Sequence, residues 1–469
     1  MKKIASYALL LTACLAVGSS TSATVIAVQS ASELTTAFQE AQSGDVIQLQ
    51  TDIALTSTLW LGTANMTDNS RALTLDLNGH TLSRTANVRM IDVTHGSLIV
   101  QSSSAGGRVD DYASVTQQSQ LKDMMLVTGS YLKDINPRTD TGYYSHLVIA
   151  EGVTINAGQN AITIDRVGNA DGHSIQYGTD VYNRGTVNNN IGVAHGARVD
   201  IYGTIYANKY GIKPNGLLVA PTTDGETLRT VSSDSQYANY QVEATDTAYA
   251  PFIHVHPSAL ISTHATASEA TAVYASGYAR WLIEGGCYGN MGLYIRSGCV
   301  SVHNAYIESS NPEHSSGTTQ YHGVEAEGSA IVLNARSSVG GDISLYMSGA
   351  TRVVSIAGYA IEEIPTSVED EGSYIREILL ESGTLEAPEY PILVSEETNI
   401  EIGDDVNLAI TESGSCGDSL TWSYSPTRRT LTITGSGTMN NYSSDKPWAE
   451  YLQEILNVEI EEGVTTICN

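Results

Sequence analysis

The chain has 469 residues, with 51 Asp and Glu against 23 Lys and Arg and a formal net charge of −28. That excess of acid argues against nucleic acid and against anionic membrane surfaces as partners. The composition includes 42 Gly and 26 Tyr but only 2 Phe. Together with the many Thr, Val, Ile and Ser residues, it indicates β-structure with frequent turns.

The amino terminus has the layout of a secretory signal. Two lysines precede an apolar stretch from Ile4 to Val17, and small residues follow it. The stretch is too short for a spanning helix with such flanks, so we expect residues 1–23 to be removed on export. No later segment is apolar for long enough to span a bilayer, which predicts no transmembrane segment in the mature chain. We therefore expect a secreted or cell-surface protein.

A lipid anchor is the alternative to simple secretion. Leu11-Thr12-Ala13-Cys14 has the form of a lipoprotein processing box, in which Cys14 would become the lipidated first residue. The apolar stretch continues past Cys14, which favours cleavage of residues 1–23 instead.

Residues 24–44 are predicted to contain a strand and a capping helix. Ser32 can cap the helix, and Gly44 ends it. The apolar residues that recur at helical spacing are Leu34, Phe38 and Ala41.

Short strands with two-residue periodicity follow, most of them ending at Gly, Asn or Asp. No helix-sized segment separates them, which excludes βαβ connections and leaves a sandwich or a solenoid. Between residues 253 and 356, apolar tracks such as Ile253, Val273 and Leu293 recur at intervals of roughly 20–24 residues. We therefore predict an all-β fold in which residues 45–412 form a parallel β-helix.

A family resemblance gives the same fold. The segment 33–49 and the later Leu73-Thr-Leu-Asp-Leu-Asn-Gly-His-Thr-Leu82 resemble the opening of pectin-lyase-like right-handed parallel β-helix proteins. The resemblance implies a helix over the end of the coil, but no particular activity, because that fold carries lyases, hydrolases, adhesins and binding modules. We interpret Asp76 as a turn-forming residue and His80 as structural rather than catalytic.

The last part of the chain, 413–469, is predicted to be a small β-hairpin unit. Two alternating segments flank a Ser425-Pro426 turn, and Trp422, Trp448, Leu431 and Ile433 are its candidate core. The run Ile460-Glu-Glu-Gly-Val-Thr-Thr-Ile467 is similar to the lead-in of BspA-like leucine-rich-repeat proteins, a family of bacterial surface proteins linked to adhesion. One partial repeat cannot bury a solenoid core, so the unit is either a truncated repeat region or a small cap.

Candidate binding residues are few. Irregular segments at 101–145 and 220–250 can project from the coil, and exposed tyrosines stack on sugars. The tyrosines that we select on this basis are Tyr143, Tyr144, Tyr202 and Tyr206.

Metal ligation has two weak candidates. His254 and His256 share one face of a strand and can chelate a metal ion, although no carboxylate or cysteine is close to them in sequence. Residues 361–420 contain sixteen acidic residues and one basic residue, and Asp404 with Asp405 is the candidate for calcium there. A solvated acidic face is the preferred interpretation, and no motif implies a cofactor.

Cysteines allow one disulfide within the coil. Cys287 and Cys299 are close enough in sequence to pair after export, and two free thiols on strand faces are the alternative.

Motifs of catalysis are absent from the sequence. The polygalacturonase type of this fold carries Asn-Thr-Asp, Gly-His-Gly and Arg-Ile-Lys, and its pectate lyases carry Arg-x-Pro-x-x-Arg; none of these is present. We therefore expect a secreted or cell-surface binding or adhesion module that recognises a polysaccharide or a host or matrix surface glycoprotein. The alternatives are a polysaccharide-active lyase or hydrolase, and a passive structural spacer.

Overall fold

The computed structural model describes nineteen segments of the chain. They are 23–62, 71–94, 96–116, 120–128, 145–165, 180–183, 186–188, 191–193, 198–214, 252–264, 270–275, 279–312, 315–316, 326–335, 342–364, 376–388, 390–426, 428–442 and 446–467.

The main body is a parallel β-helix, as the sequence predicts. Each rung passes through up to three short strands, and strands of successive rungs pair in parallel. We name the three resulting surfaces face one, face two and face three, in the order in which a rung meets them. Faces one and two belong to one 23-stranded sheet, because two long strands near the end run through both, and face three is a separate 11-stranded sheet.

The strand bounds follow the order of the rungs. Face one contains Val25–Val28, Val46–Leu49, Ala72–Asp76, Ser97–Gln101, His146–Ile149, Asp180–Asn183, Arg198–Ile201, Phe252–Val255, Arg280–Ile283, Gly298–His303 and Ile343–Ser348. Face two contains Ile53–Leu55, Thr81–Arg84, Arg108–Asp111, Thr154–Asn156, Thr186–Asn188, Thr204–Ala207, Leu260–Thr263, Gly286–Gly289, Tyr306–Ser309 and Arg352–Ser355. Arg376–Ala387 and Asn399–Ile410 extend over both faces. Face three contains Leu59–Leu61, Ile91–Val93, Met125–Thr128, Ile162–Asp165, Ile191–Val193, Tyr210–Pro214, Thr271–Ala275, Met291–Ile295, Ile331–Leu333, Ile361–Glu363 and Ile392–Leu393.

A helix covers the first rungs. It spans Ala31–Glu40, and its buried residues Leu34 and Phe38 join the core of the coil. Its cap is Ser30, whose side chain accepts a hydrogen bond from the backbone N–H of Glu33, and not Ser32 as the sequence suggested. The predicted capping helix is therefore present, and its cap lies two residues earlier.

The core is a continuous column of inward side chains. In Phe252–Val255 the inward residues Ile253 and Val255 are buried, and they pair with the buried Trp281 and Ile283 of the next rung. Because alternate side chains of a strand point to opposite sides, each rung buries one set and presents the other outward. No single rung has a core of its own.

The predicted repeat of 20–24 residues is wrong about which residues of successive rungs lie side by side. Ile253 lies on face one and pairs with Trp281, whereas Val273 and Leu293 pair with each other on face three. On face one the step from Val181 to Val199 is 18 residues and the step from Val199 to Ile253 is 54. The number of residues from one face-one strand to the next therefore varies widely, although each strand pairs in register with the strand of the next rung.

The final segment forms its own sheet. Glu412–Ser415, Leu420–Ser425, Thr430–Gly435 and Asn457–Ile460 make four strands, with the hairpin predicted from the alternating segments at their centre. A cluster that includes Trp422, Trp448, Leu431 and Ile433 is buried beneath it. The remaining elements are the pairs Ser315–Ser316 with Ala326–Glu327 and Gly437–Thr438 with Val464–Thr466, and a short 3-10 helix at Ala449–Tyr451.

None of the helices among the described residues has the length and apolar character needed to cross a membrane.

Candidate functional site

A cleft opens on face three near the amino-terminal end of the coil. Its volume is about 450 Å³, which is within the usual range of small-molecule sites. Charged and aromatic side chains dominate its lining. The lining residues are Thr58, Trp60, Arg89, Asp92, Leu121, Lys122, Asp123 and Gln159.

The floor of the cleft comes from two neighbouring strands. Trp60 is the central residue of Leu59–Leu61, so the leucines on either side point into the core and the indole points out, 54% exposed. Asp92 is its register partner on the next rung. The Asp92 carboxylate is buried, accepts a hydrogen bond of 3.0 Å from Thr94 Oγ1, and lies 3.7 Å from Arg89 Nη1. An aromatic ring and a carboxylate therefore lie side by side.

One wall of the cleft is held by a buried arginine. Arg84 is fully buried, and its Nε and Nη2 atoms donate to both carboxylate oxygens of Asp111 at 2.8 and 2.6 Å. The same guanidinium donates to the backbone carbonyls of Lys122 at 2.5 Å, Asp123 at 3.1 Å and Val88 at 2.6 Å. A guanidinium has five N–H donors, and here all of them are used to fix the segment that carries Lys122 and Asp123.

The electrostatics of this clamp favour the ionised acid. Burial alone would raise the pKa of Asp111, but hydrogen bonds from Arg84 and from the backbone N–H groups of Ala113 and Gly158 outweigh it. The pKa of Asp111 is therefore lowered. The pair remains ionised at neutral pH and keeps the wall in place.

Two polar atoms of the cleft have no partner among the described residues. They are the Nε atom of Arg89 and the Oε1 atom of Gln159, both shielded from solvent. An unpartnered buried donor or acceptor costs about 1–3 kcal/mol, which a ligand hydroxyl group can recover. With the exposed ring of Trp60 in the same lining, the cleft offers a stacking surface, and rotation of the Arg89 and Gln159 side chains would present one donor and one acceptor to a ligand.

The cleft also brings two carboxylates together. Asp92 and Asp123 line it with Arg89 and Lys122, and Asp123 accepts a hydrogen bond from Asn160 Nδ2 at 2.8 Å. No feature of the sequence groups these residues, because no motif contains them and the strands that carry them are separated by turns. A tryptophan at the centre of a short strand was the only available signal.

A second cluster lies on face one, around the two predicted histidines. His254 is the register partner of Asp200, and His256 follows the same strand. His256 Nε2 lies 2.9 Å and His254 Nδ1 lies 3.6 Å from Asp200 Oδ1, while His254 Nε2 lies 2.7 Å from Glu284 Oε2. The sequence offered no carboxylate near these histidines, and the fold supplies two, from the preceding and the following rungs.

The pKa of His254 reflects this surrounding. Burial works against its protonation, but hydrogen bonds to Asp200 and Glu284 outweigh burial, and the pKa of His254 is raised. The side chains of His254 and His256 are 15% and 18% exposed. Water therefore has only limited access to the imidazoles.

The predicted tyrosines do not form one surface. The Tyr202 ring stacks on His256, with centroids 3.8 Å apart, and belongs to the cluster on face one. Tyr206 points outward on face two and is 49% exposed. Tyr143 and Tyr144 lie outside the described residues.

The other metal candidates are not brought together. Asp404 and Asp405 are exposed on the strand Asn399–Ile410. Within the described part of the chain, the single group of three or more close ligating side chains is Asp200, His254 and His256. Among the described residues, Asp404 and Asp405 therefore have no third ligating side chain close to them.

The proposed disulfide is not formed. Cys287 points into the core from face two, whereas Cys299 occupies an outward position on face one. Neither of the two is disulfide-bonded in the described part of the chain. Inward and outward positions on different faces cannot be bridged, because a disulfide needs side chains directed at one another.

Comparisons of the chain with protein-family models, with curated proteins and with solved structures find no match.

Proposed function

We propose that this protein is an exported surface module that binds carbohydrate in the cleft on face three. The observation that carries the proposal is the exposed ring of Trp60 in a cleft that is also lined by Arg89 and Gln159, whose Nε and Oε1 atoms have no partner among the described residues. Export rests on the signal-like residues 1–23, with a lipid anchor at Cys14 as the alternative. Attachment to a surface rests on the resemblances to pectin-lyase-like and BspA-like proteins.

Carbohydrate suits this combination of groups. A sugar ring has an apolar face of C–H groups that packs on an aromatic ring, and a rim of hydroxyl groups that both donate and accept. Trp60 supplies the ring, and rotation of the Arg89 and Gln159 side chains would supply a donor at Nε and an acceptor at Oε1. Lys122 at the exposed rim adds a further hydrogen-bond donor for sugar hydroxyl groups.

A glycan array with the exported chain, followed by calorimetry on the best ligand, tests the proposal. We expect Trp60→Ala to weaken binding at least about tenfold, since an aromatic contact contributes on the order of 1.5 kcal/mol. Tyr206→Ala removes another exposed ring and should leave affinity unchanged. Loss of binding with Tyr206→Ala but not with Trp60→Ala would place the binding surface on face two. An array without ligands would favour a passive spacer.

A polysaccharide-active enzyme is the second candidate function. Its support is the pair Asp92 and Asp123 in a cleft with Arg89 and Lys122, because glycoside hydrolysis uses two carboxylates, one of them an acid. We expect no product from polygalacturonate, with or without calcium, since the motifs of those enzymes are missing. Reducing or unsaturated ends that disappear in both Asp92→Asn and Asp123→Asn would establish the enzyme instead.

A further inference from the structure

The cluster on face one is built across three successive rungs. Asp200 lies in Arg198–Ile201, His254 lies opposite it in Phe252–Val255, and Glu284 follows Arg280–Ile283. These side chains project outward from neighbouring strands. Strand pairing, and not a flexible loop, therefore sets their spacing.

Glu284 determines which nitrogen of His254 faces the cluster. A carboxylate accepts hydrogen bonds only, so the 2.7 Å contact places the proton of the imidazole on Nε2. When the ring is neutral, its lone pair is on Nδ1, the atom that lies 3.6 Å from Asp200 Oδ1, and zinc competes with a proton for that position. A histidine oriented by a carboxylate behind it is the usual arrangement of a metal ligand.

The three inner atoms have the spacing of a metal site. Asp200 Oδ1 lies 3.6 Å from His254 Nδ1 and 2.9 Å from His256 Nε2, and one ligand atom from each residue lies within 4.8 Å of the others. Ligands of tetrahedral zinc, with bonds of about 2.1 Å, are separated by about 3.4 Å. The His254 and His256 rings lie against each other, with centroids 3.5 Å apart and planes 31° from parallel, and His256 Nε2 donates to Asp200 Oδ1 when no ion is bound. An ion bound to all three residues would therefore displace this proton and turn one imidazole out of its contact with the other.

We propose that Asp200 Oδ1, His254 Nδ1 and His256 Nε2 bind one zinc ion, with Glu284 and Tyr202 as positioning residues. Glu284 holds the His254 ring, and Tyr202 stacks on the His256 ring. Two nitrogens and one oxygen select zinc and related transition metals over calcium, which takes six to eight oxygen ligands. Three protein ligands leave a fourth position for water or an external ligand.

This site is independent of the carbohydrate proposal. It lies on face one, and the cleft lies on face three. The ion would join the rungs at Asp200 and His254, which are adjacent in space and 54 residues apart in sequence. Bound zinc would therefore stabilise the coil where the longest stretch of chain separates two paired strands of face one.

Competition between the exported chain and a chromophoric zinc chelator is the direct test, with cobalt as a spectroscopic probe of the same site. We expect one zinc per chain, a tetrahedral cobalt spectrum, and no displacement by calcium. Asp200→Asn and His256→Ala should each weaken zinc binding at least about 100-fold. Glu284→Gln should weaken it about 10- to 100-fold, as loss of an outer carboxylate does.

His264→Ala is the matched control, because His264 is an exposed histidine of the neighbouring face-two segment and outside the cluster. It should bind zinc as the parent does. Circular dichroism of each metal-free variant shows whether it is folded. Absence of stoichiometric binding by the unsubstituted chain would overturn the proposal and leave a hydrogen-bonded histidine–carboxylate network. Equal weakening by His264→Ala would overturn it as well.

Discussion

Asp76 shows how a single carboxylate organises a turn of the coil. It is 2% exposed, and it accepts hydrogen bonds from the backbone N–H groups of Asn78 and Ser103 and from Gln48 Nε2, at 2.8–2.9 Å. The bond to Asn78 is the turn predicted from the sequence, and that interpretation is confirmed. The bond to Ser103 joins this turn to the next rung, so one side chain connects three neighbouring rungs.

The ionisation of Asp76 should therefore contribute to stability. Burial alone would raise its pKa, but the hydrogen bonds from Gln48, Ser103 and Asn78 outweigh burial and lower it. A carboxyl group whose pKa is lower in the folded chain than in the unfolded chain stabilises the fold above about pH 4. That stabilisation is lost as the pH falls through the lowered value.

We predict that Asp76→Asn lowers the free energy of unfolding by about 2 kcal/mol at pH 7. The difference between variant and parent should shrink as the pH is lowered from 5 to about 2.5. Chemical denaturation over this range measures both quantities. Glu151→Gln alters an exposed carboxylate of the coil and should follow the parent throughout. A difference that is constant with pH would show that ionisation of Asp76 is not the cause.

At the scale of elements, the Arg84 clamp joins a strand of face two to the wall of the cleft. We predict that Arg84→Met costs about 3–5 kcal/mol in unfolding free energy, because Asp111 would remain buried without its partner. Arg84→Lys should recover little, since an ammonium group cannot supply five donors in a plane. Denaturant titration measures these differences.

Arg108→Met is the control for the clamp. Arg108 pairs with the buried Asp110, but the Arg108 side chain is 51% exposed. Asp110 also accepts hydrogen bonds from Tyr112 Oη and Asn156 Nδ2, so we expect Arg108→Met to cost less than Arg84→Met. If both substitutions cost the same, burial of the Arg84–Asp111 pair does not determine its contribution.

The final sheet is a separate element with its own buried cluster. Trp422 is 6% exposed and packs edge to face with Trp448. We predict that Trp422→Ala removes about 3–5 kcal/mol from this unit and makes residues after about 412 sensitive to protease while the coil remains intact. Limited proteolysis with mass spectrometry detects the cut. Trp60→Ala, an exposed tryptophan, should leave the digestion pattern unchanged; whole-chain digestion of Trp422→Ala would contradict independent folding.

The individual strands are easier to predict from the sequence than the strands with which they pair. Alternating residues such as Leu98 and Val100, or Leu147 and Ile149, identify strands, and these two pairs are register partners on face one. The pattern cannot say which strand lies beside which, because strands of all three faces share the same two-residue period. The two-residue period alone therefore groups Ile253 with Val273, although the two lie on different faces.

The candidate sites could not be predicted for the same reason, because the sequence does not show which strands lie side by side. His254 and His256 are recognisable in sequence because they are neighbours on one strand. Asp200 and Glu284 belong to the site only because turns of unequal length bring their rungs together. No spacing rule could connect them.

At the scale of the whole molecule, charge and apolar surface meet on the last strand of the coil. Among the described residues, Asn399–Ile410 pairs along one side only, with Arg376–Ala387. Ile402, Leu408 and Ile410 are 47–49% exposed there. Glu401, Asp404 and Asp405 are exposed on the same strand. Charged residues on a free strand edge oppose pairing with a second chain.

We predict that the combined change Glu401→Gln, Asp404→Asn and Asp405→Asn causes concentration-dependent association. Light scattering after size-exclusion chromatography measures the mass. High salt should produce part of the same effect in the parent by screening repulsion. Neutralising Glu396, Glu397 and Glu412, which flank the strand, is the control. A monomeric triple variant at high concentration would show that the edge is protected in another way.

This free edge has a consequence for assembly. In a β-helix each rung forms backbone hydrogen bonds with the next rung. These hydrogen bonds are the same whether the next rung belongs to the same chain or to another molecule. Head-to-tail addition does not close into a ring and leads to filaments. We expect the carboxylates of the last strand to limit such growth at this end of the coil, since the helix Ala31–Glu40 already covers the other end. Three charges would then set the balance between single particles and larger assemblies.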